Sequence, residues 1–292
     1  MSCYNFKELH YKNPIFNNVE ATYIIHLEGN GRLIHIQSQL HKFHPTETVY
    51  IMFNQGYKKC EKDEYINKPP LDLVDAFYTV FKDAEKKGYE NILVLEDDFM
   101  FDDEILDKKH PAEIDRFLMK KKGQHFIYYV GTLPFLQLST FGFHNRVFAS
   151  IGTHSCIYPK KYIKDLVYNI PQNIVTDWDL HTAIRSRQYK YYKTLCYQTF
   201  PQTENQKNWG GNTFLHFILE NTNIRFIRLL HLDTTPQPGY NICEIGSICI
   251  TWIILFIIIV MNTRLLVSMI LNNKLINNKL GFARIVKQMK RL

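Results

Sequence analysis

The stretch from Asn91 to Phe101 constrains the fold more than any other part of the chain. Four apolar residues, Ile92 to Leu95, run directly into three carboxylates, Glu96, Asp97 and Asp98. An unbroken apolar run of this length, bounded by glycine and by charge, is the pattern of a strand covered on both faces, as in a parallel sheet. Ligands of such sheets bind beyond the carboxyl ends of the strands. Three adjoining carboxylates repel one another there unless a cation sits among them, and a hard divalent ion bridging to a diphosphate is the common solution. A solvated acidic turn is the plain alternative.

The neighbouring residues supply the rest of an α/β unit. Ala21–Leu27 reads as a strand, Glu28-Gly29-Asn30-Gly31 as a turn and Arg32–His41 as a short amphipathic helix. Thr48–Asn54 is a second strand and Lys58–Pro70 a charged loop. Apolar residues at Leu71, Val74, Phe77, Tyr78 and Phe81 predict a helix over Leu71–Lys87, stopped by Gly88. Helix, glycine, strand, carboxylates is the order of a βαβ unit that delivers its reactive groups to the sheet edge. Further on, the pattern predicts a helix over Ile105–Lys122, a strand over Phe126–Val130, a loop over Gly131–His144 and a strand or strand pair over Val147–Tyr158. It continues with helices over Pro159–Asn169 and Ile174–Gln188, a strand over Lys190–Tyr197, a polar loop over Phe200–Asn212 and a helix-capable stretch over Thr213–Leu232.

A second feature is Ile245–Met261, 17 residues without a charge. It is just long enough to cross a bilayer, and continuing to Leu271 lengthens the span if Arg264 snorkels. All seven Lys and Arg beyond Glu244 follow this run with no acid among them, which leaves 35 − 7 = 28 basic residues against 28 acidic ones in the first 244. The body is therefore neutral, which disfavours a nucleic-acid substrate, and the basicity belongs to the tail, where it suits an anionic leaflet. The expected organisation is an N-terminal extension over 1–20, a catalytic domain over 21–235, a transmembrane or membrane-associated segment over 245–271 and a basic tail over 272–292. A chain ending at Thr235 is expected to be a soluble body. The charged opening residues do not read as a signal peptide, and no Asn-x-Ser/Thr sequon occurs. Six cysteines without metal or disulfide spacing point to a reducing compartment.

Several of these stretches resemble glycosyltransferase family 25, which includes lipopolysaccharide and collagen galactosyltransferases. Tyr23-Ile24-Ile25-His26-Leu27 with Arg32 is similar to its opening Tyr-x-Ile-Asn-Leu…Arg, and Leu95-Glu96-Asp97-Asp98 to its Glu-Asp-Asp block. Gly152–Tyr158, Thr176-Asp177-Trp178-Asp179 and Pro201–Trp209, with Gln206, resemble its later strand, aspartate and terminal loop. The likeness covers roughly residues 20 to 212. In it, His26 stands where the family has Asn, Arg32 lacks a doubled partner and Asn208 replaces Ser.

The resemblance implies a GT-A-like, Rossmann-type mixed sheet flanked by helices, a nucleotide-sugar donor, a glycan or glycoprotein acceptor, and Mn2+ or Mg2+. The expected metal ligands are Asp98 and Glu96, with Asp97 on the opposite face of the strand. His26, Leu27, Arg32, Asp97 and Gln206 are expected to meet the donor. Asp177, or else Asp179, is expected to act as base, and Trp178 to stack on the acceptor sugar. Asp177 reads equally well as a helix cap. His154, His181 and His216 are candidate third metal ligands. A catalytically inactive binding module at a membrane and a metal-dependent phosphoesterase or nucleotidyltransferase are the competing readings. The richness in Asn, Ile and Lys is what an AT-rich genome, such as that of a large DNA virus, produces.

Overall fold

The computed structural model describes residues 2–140, 142–198, 225–232 and 234–289, with side chains as far as 269. The described residues include nine strands and six α-helices: β1 Tyr4–His10, β2 Ala21–Leu27, α1 Leu33–Lys42, β3 Thr48–Asn54, α2 Pro69–Lys87, β4 Asn91–Glu96, β5 Phe99–Phe101, α3 Lys109–Lys120, β6 Phe126–Ser139, β7 His144–Pro159, α4 Lys160–Asn169, α5 Trp178–Arg185, β8 Arg187–Tyr191, β9 Cys196–Gln198 and α6 Gly239–Met289. Seven strands form one mixed sheet in the order β1-β3-β2-β4-β7-β6-β8, and β5 pairs with β9 in a separate ribbon. Strands β3, β2 and β4 are parallel, and β7 runs antiparallel to β4.

The central strand is covered on both faces, as its unbroken apolar run requires. Ile92 and Val94 join a core built with Val74, Phe77 and Phe81 of α2, Tyr162 and Leu166 of α4, and Trp178 of α5. Leu93 and Leu95 join the opposite core, built with Ile36 and Leu40 of α1 and Ile114, Phe117 and Leu118 of α3. Helix α2 starts on Pro69-Pro70, where missing amide donors cost nothing, and ends at Gly88 with φ +79°. The fold is therefore a mixed α/β sheet flanked by helices, followed by a long apolar helix.

Several local expectations are corrected. Residues 1–20 are not an appendage: β1 pairs antiparallel with β3 over seven residues and forms the sheet edge. Most of the presumed loop at Gly131–His144 is strand: β6 runs, with bulges, to Ser139, β7 starts at His144, and the two pair as far as Ser139↔Asn145. A 3-10 turn at Asp103–Leu106 precedes α3 in place of one continuous helix. Lys190–Tyr197 divides between β8 and β9, which belong to different sheets. The polar loop over Phe200–Asn212 and most of the helix-capable stretch after it lie outside the described residues.

The cysteines give a further correction. Pairing of β1 with β3 brings Cys3 beside the loop after β3, where it forms a disulfide with Cys60, 57 residues away. That spacing matches no sequence pattern, because only the strand pairing brings the two thiols together. Close to it, Lys62 is nearly enclosed and donates to Asp72, Asn54 and the Tyr4 hydroxyl, so the loop is fixed at two points. Reduction, or Cys60→Ser, is expected to cost about 3–4 kcal/mol for a closed loop of this length. Urea denaturation with and without reductant measures it, and identical midpoints would show that the bridge is not formed.

By contacts the chain divides into Met1–Ser247 and Ile248–Leu292. Helix α6 begins in the first unit, and its opening turns are built into the core. Tyr240 is fully buried and packs with Leu133, Tyr197, Ile227 and Leu232. Glu244 accepts from the enclosed Lys190 ammonium and from Thr194 through one carboxylate oxygen, and from Gln137 through the other. A chain ending at Thr235 lacks all of these contacts, and the first compact unit extends to Ser247. Gly239–Met269, 31 residues, is the one helix among the described residues long and apolar enough to cross a membrane. The helix continues unbroken to Met289, so the expected tail at 272–292 is helical over most of its length.

Candidate active site

Strand alternation sorts the three carboxylates. Glu96 continues the face of Ile92 and Val94, toward α5, whereas Asp97 continues that of Leu93 and Leu95, toward α1. The two faces do different things.

On the α1 side, Asp97 accepts from the Arg32 guanidinium, the Asn30 amide, the Leu27 backbone N–H at 3.2 Å and the His26 ring at 3.1 Å. Burial acts to raise the Asp97 pKa, but His26, Arg32 and Asn30 outweigh it and hold the carboxyl below its ordinary value. His26, Leu27 and Arg32, expected to meet a donor, are thus gathered in one place, with their polar groups directed at Asp97. The arrangement staples the β2–α1 turn to the end of β4 and leaves Asp97 fully committed. Asn30, which the sequence reading passed over as a turn residue, belongs to the same group.

On the α5 side the acids gather without such compensation. The β4–β7 register, Leu95↔Ser155, brings Thr153 to Glu96. The Thr153 hydroxyl lies 2.7 Å from Asp179 Oδ1 and 3.4 Å from Glu96 Oε1. The Gly152 N–H donates to Asp179 Oδ2 at 3.2 Å, from a backbone with φ +86° that only glycine adopts readily. Asp98, in the turn between β4 and β5, accepts from the Gln198 side-chain amide at 3.0 Å. Burial first, and then Asp98, Asp179 and Asp97, push the Glu96 carboxyl well above its ordinary range. Burial and Asp97 raise Asp98 to about 6, and burial raises Asp179 as well.

Carboxylate oxygens are the hard donors that Mg2+ or Mn2+ prefers. Among the described residues, however, no group of three or more His, Cys, Asp or Glu side chains is placed to hold a metal ion. Any ion here would take most of its ligands from water and from a bound phosphate.

The remaining candidates separate clearly. Asp177 is exposed and caps α5 by accepting from Leu180 N at 2.8 Å, so Asp179, and not Asp177, joins the acids. Asp177 instead lines a 260 Å³ hollow on the outer side of α5 with Leu180, His181, Ile184 and Arg185. Trp178 is 3% exposed, stacks on Phe77 with 4.2 Å between ring centroids and donates to the Tyr158 hydroxyl. Enclosed in this way, it offers no face to a sugar, which corrects its assignment to the acceptor.

His154 lies behind Gly152, its Nε2 donating to the Cys196 carbonyl, and burial lowers its imidazole to about 4, which keeps it neutral. Gln206 and His216 fall outside the described residues. Thr153 and Gln198 went unrecognised. Thr153 sits inside a quoted motif, whereas Gln198 reaches Asp98 across 100 residues of sequence and carries no local signal.

No family model matches the chain, and no curated protein matches it. Among solved structures it is similar to a protein from STIV, at 12% identity and a TM-score of 0.37, covering 64% of this chain and 87% of that one. It is also similar to a glycosyltransferase involved in glycosylation of the major capsid of PBCV-1, at 11% identity and a TM-score of 0.35, covering 65% and 97%. An apo UDP-glucose pyrophosphorylase gives 11% identity and a TM-score of 0.31, covering 59% and 72%. Likenesses this distant do not distinguish one activity from another, and the family 25 resemblance rests on the quoted motifs alone.

Proposed function

We propose that the chain is a membrane-associated, divalent-metal-dependent glycosyltransferase of GT-A type. It moves a hexosyl group from a nucleotide-diphosphate sugar to a hydroxyl of a glycan or protein. One observation supports the reading: at the carboxyl edge of a parallel β-unit the Thr153 hydroxyl links Glu96 and Asp179, and burial together with Asp98 and Asp179 disfavours Glu96 as an anion. In this reading Asp98 and Glu96 hold Mn2+ or Mg2+, which would neutralise the charge developing on the departing diphosphate. Asp179, oriented by Thr153 and Gly152, is placed to take the proton of the acceptor hydroxyl. The Asp97 staple fixes the β2–α1 turn that borders the donor. A disulfide persists in an oxidising compartment, and basic C-terminal residues favour the cytoplasmic side, so in this reading the body faces away from the cytoplasm.

The test is a thermal-shift and calorimetric screen of the full chain in detergent against nucleoside diphosphates and their sugars, with and without Mn2+. Stabilisation by one nucleotide sugar only when the metal is present is the expected result. A folded protein that responds to none would sink the transferase reading and leave the non-catalytic binding module.

A further inference from the structure

We propose that Tyr240, in the first turn of α6, and Gln198, the last residue of β9, are positioning residues for Asp98. The Tyr240 hydroxyl accepts from the Gln198 backbone N–H at 3.1 Å, and the Gln198 side-chain amide donates to Asp98 Oδ2 at 3.0 Å. An acid at the end of β4 is thus held through two hydrogen bonds by the helix that continues into the apolar segment.

The local architecture makes this support necessary. The β5–β9 ribbon has only three residue pairs, Phe99↔Gln198, Met100↔Tyr197 and Phe101↔Cys196, and so short a ribbon is marginal by itself. It follows Asp98 directly in the chain, so its position sets where the Asp98 carboxylate lies. The start of α6 and the residues just before it grip the ribbon at two further points: the Tyr240 ring meets the Tyr197 ring at 4.7 Å, and Gln237, two residues before the helix, donates to the Tyr197 hydroxyl at 2.7 Å. The helix is fixed in turn by Glu244 on Lys190, Thr194 and Gln137. The Gln198 amide also reaches toward the second acid: a Cβ on Gly152, whose N–H holds Asp179, would lie 3.4 Å from Gln198 Oε1. One amide therefore lies between the bend that orients Asp179 and the turn that carries Asp98. The opening turns of the apolar helix are part of the site's support and not merely its tether.

The functional meaning of this support rests on the proposed reading of Asp98 as a metal ligand, so the experiment reads the two separately. Full-length wild type, Tyr240→Phe and the control Ile242→Ala are compared in nanodiscs by hydrogen exchange and by Mn2+ titration. Ile242 is exposed on the same helix. In Tyr240→Phe, amides of Phe99–Phe101 and Cys196–Gln198 are expected to exchange roughly fivefold faster, as loss of one hydrogen bond implies. Amides of β2, β3 and β4 are expected to keep their wild-type rates, and Mn2+ affinity to fall by a similar factor. Ile242→Ala should change neither readout. Unchanged exchange at those amides, or an equal acceleration across the whole body, would overturn the inference. Localised acceleration in a protein whose wild type binds no Mn2+ would uphold the positioning role and sink the metal reading alone.

Discussion

Asp98→Asn is expected to abolish metal-dependent nucleotide binding while making the metal-free protein more stable. An amide oxygen still accepts from Gln198, so the turn keeps its shape, but the anionic ligand is gone. Loss of a direct carboxylate ligand should exceed the roughly 10–100-fold that loss of an outer-shell partner costs. The stability change follows from the raised carboxyl. Folding holds the Asp98 proton up to about 6, whereas the unfolded chain releases it near 3.8. Unfolding between those values therefore releases a proton, and stability falls as pH rises through that window. At neutral pH the penalty is on the order of 3 kcal/mol, which Asn removes. Urea denaturation of both proteins from pH 4 to pH 7, without metal, should show midpoints that diverge as pH rises. Parallel midpoints with intact Mn2+ binding would take Asp98 out of the site.

The second large effect lies far from the acids. Chains ending at Ser247 are expected to fold, and chains ending at Thr235 are not. The shorter chain loses Glu244 and leaves the Lys190 ammonium, 1% exposed, in the interior without its carboxylate. Burial already pulls the Lys190 pKa down against the attraction of Glu244. Removing one partner of a buried ion pair costs about 3–5 kcal/mol, a large part of the 5–15 kcal/mol that holds a domain together. Glu244→Ala in the full chain also takes the acceptor from Thr194 and Gln137, so the double variant Glu244→Leu with Lys190→Met should recover the part of the loss due to the unpaired ammonium, because two apolar side chains need no partner. Denaturation midpoints of the three proteins decide it. A Thr235 truncation that melts like the longer body would show that the pair contributes nothing.

The same two regions mark how far sequence reasoning reaches. Strand β4, its covering on both faces and the division of Glu96 from Asp97 were legible because they depend on local periodicity: an apolar run, a glycine stop and a two-residue alternation. The apolar helix was legible for the same reason. The composition of the acid site was not. Asp177 and Asp179 are two residues apart and of the same residue type, and only the packing of α5 turns one out to cap the helix and the other in toward Thr153. Trp178 resembled a sugar platform until the core closed over it.

Local sequence specified β4, the helix before it, the acids at the sheet edge and the existence of an apolar helix, since each is a matter of neighbours along the chain. It missed β5 and β9 and the true start of that helix, and what the residues meet was decided by packing. Arg32 finds Asp97 across 65 residues, Cys3 finds Cys60 across 57 and Gln198 finds Asp98 across 100. Partners that far apart are chosen by strand order and register, and no spacing in the chain encodes them locally.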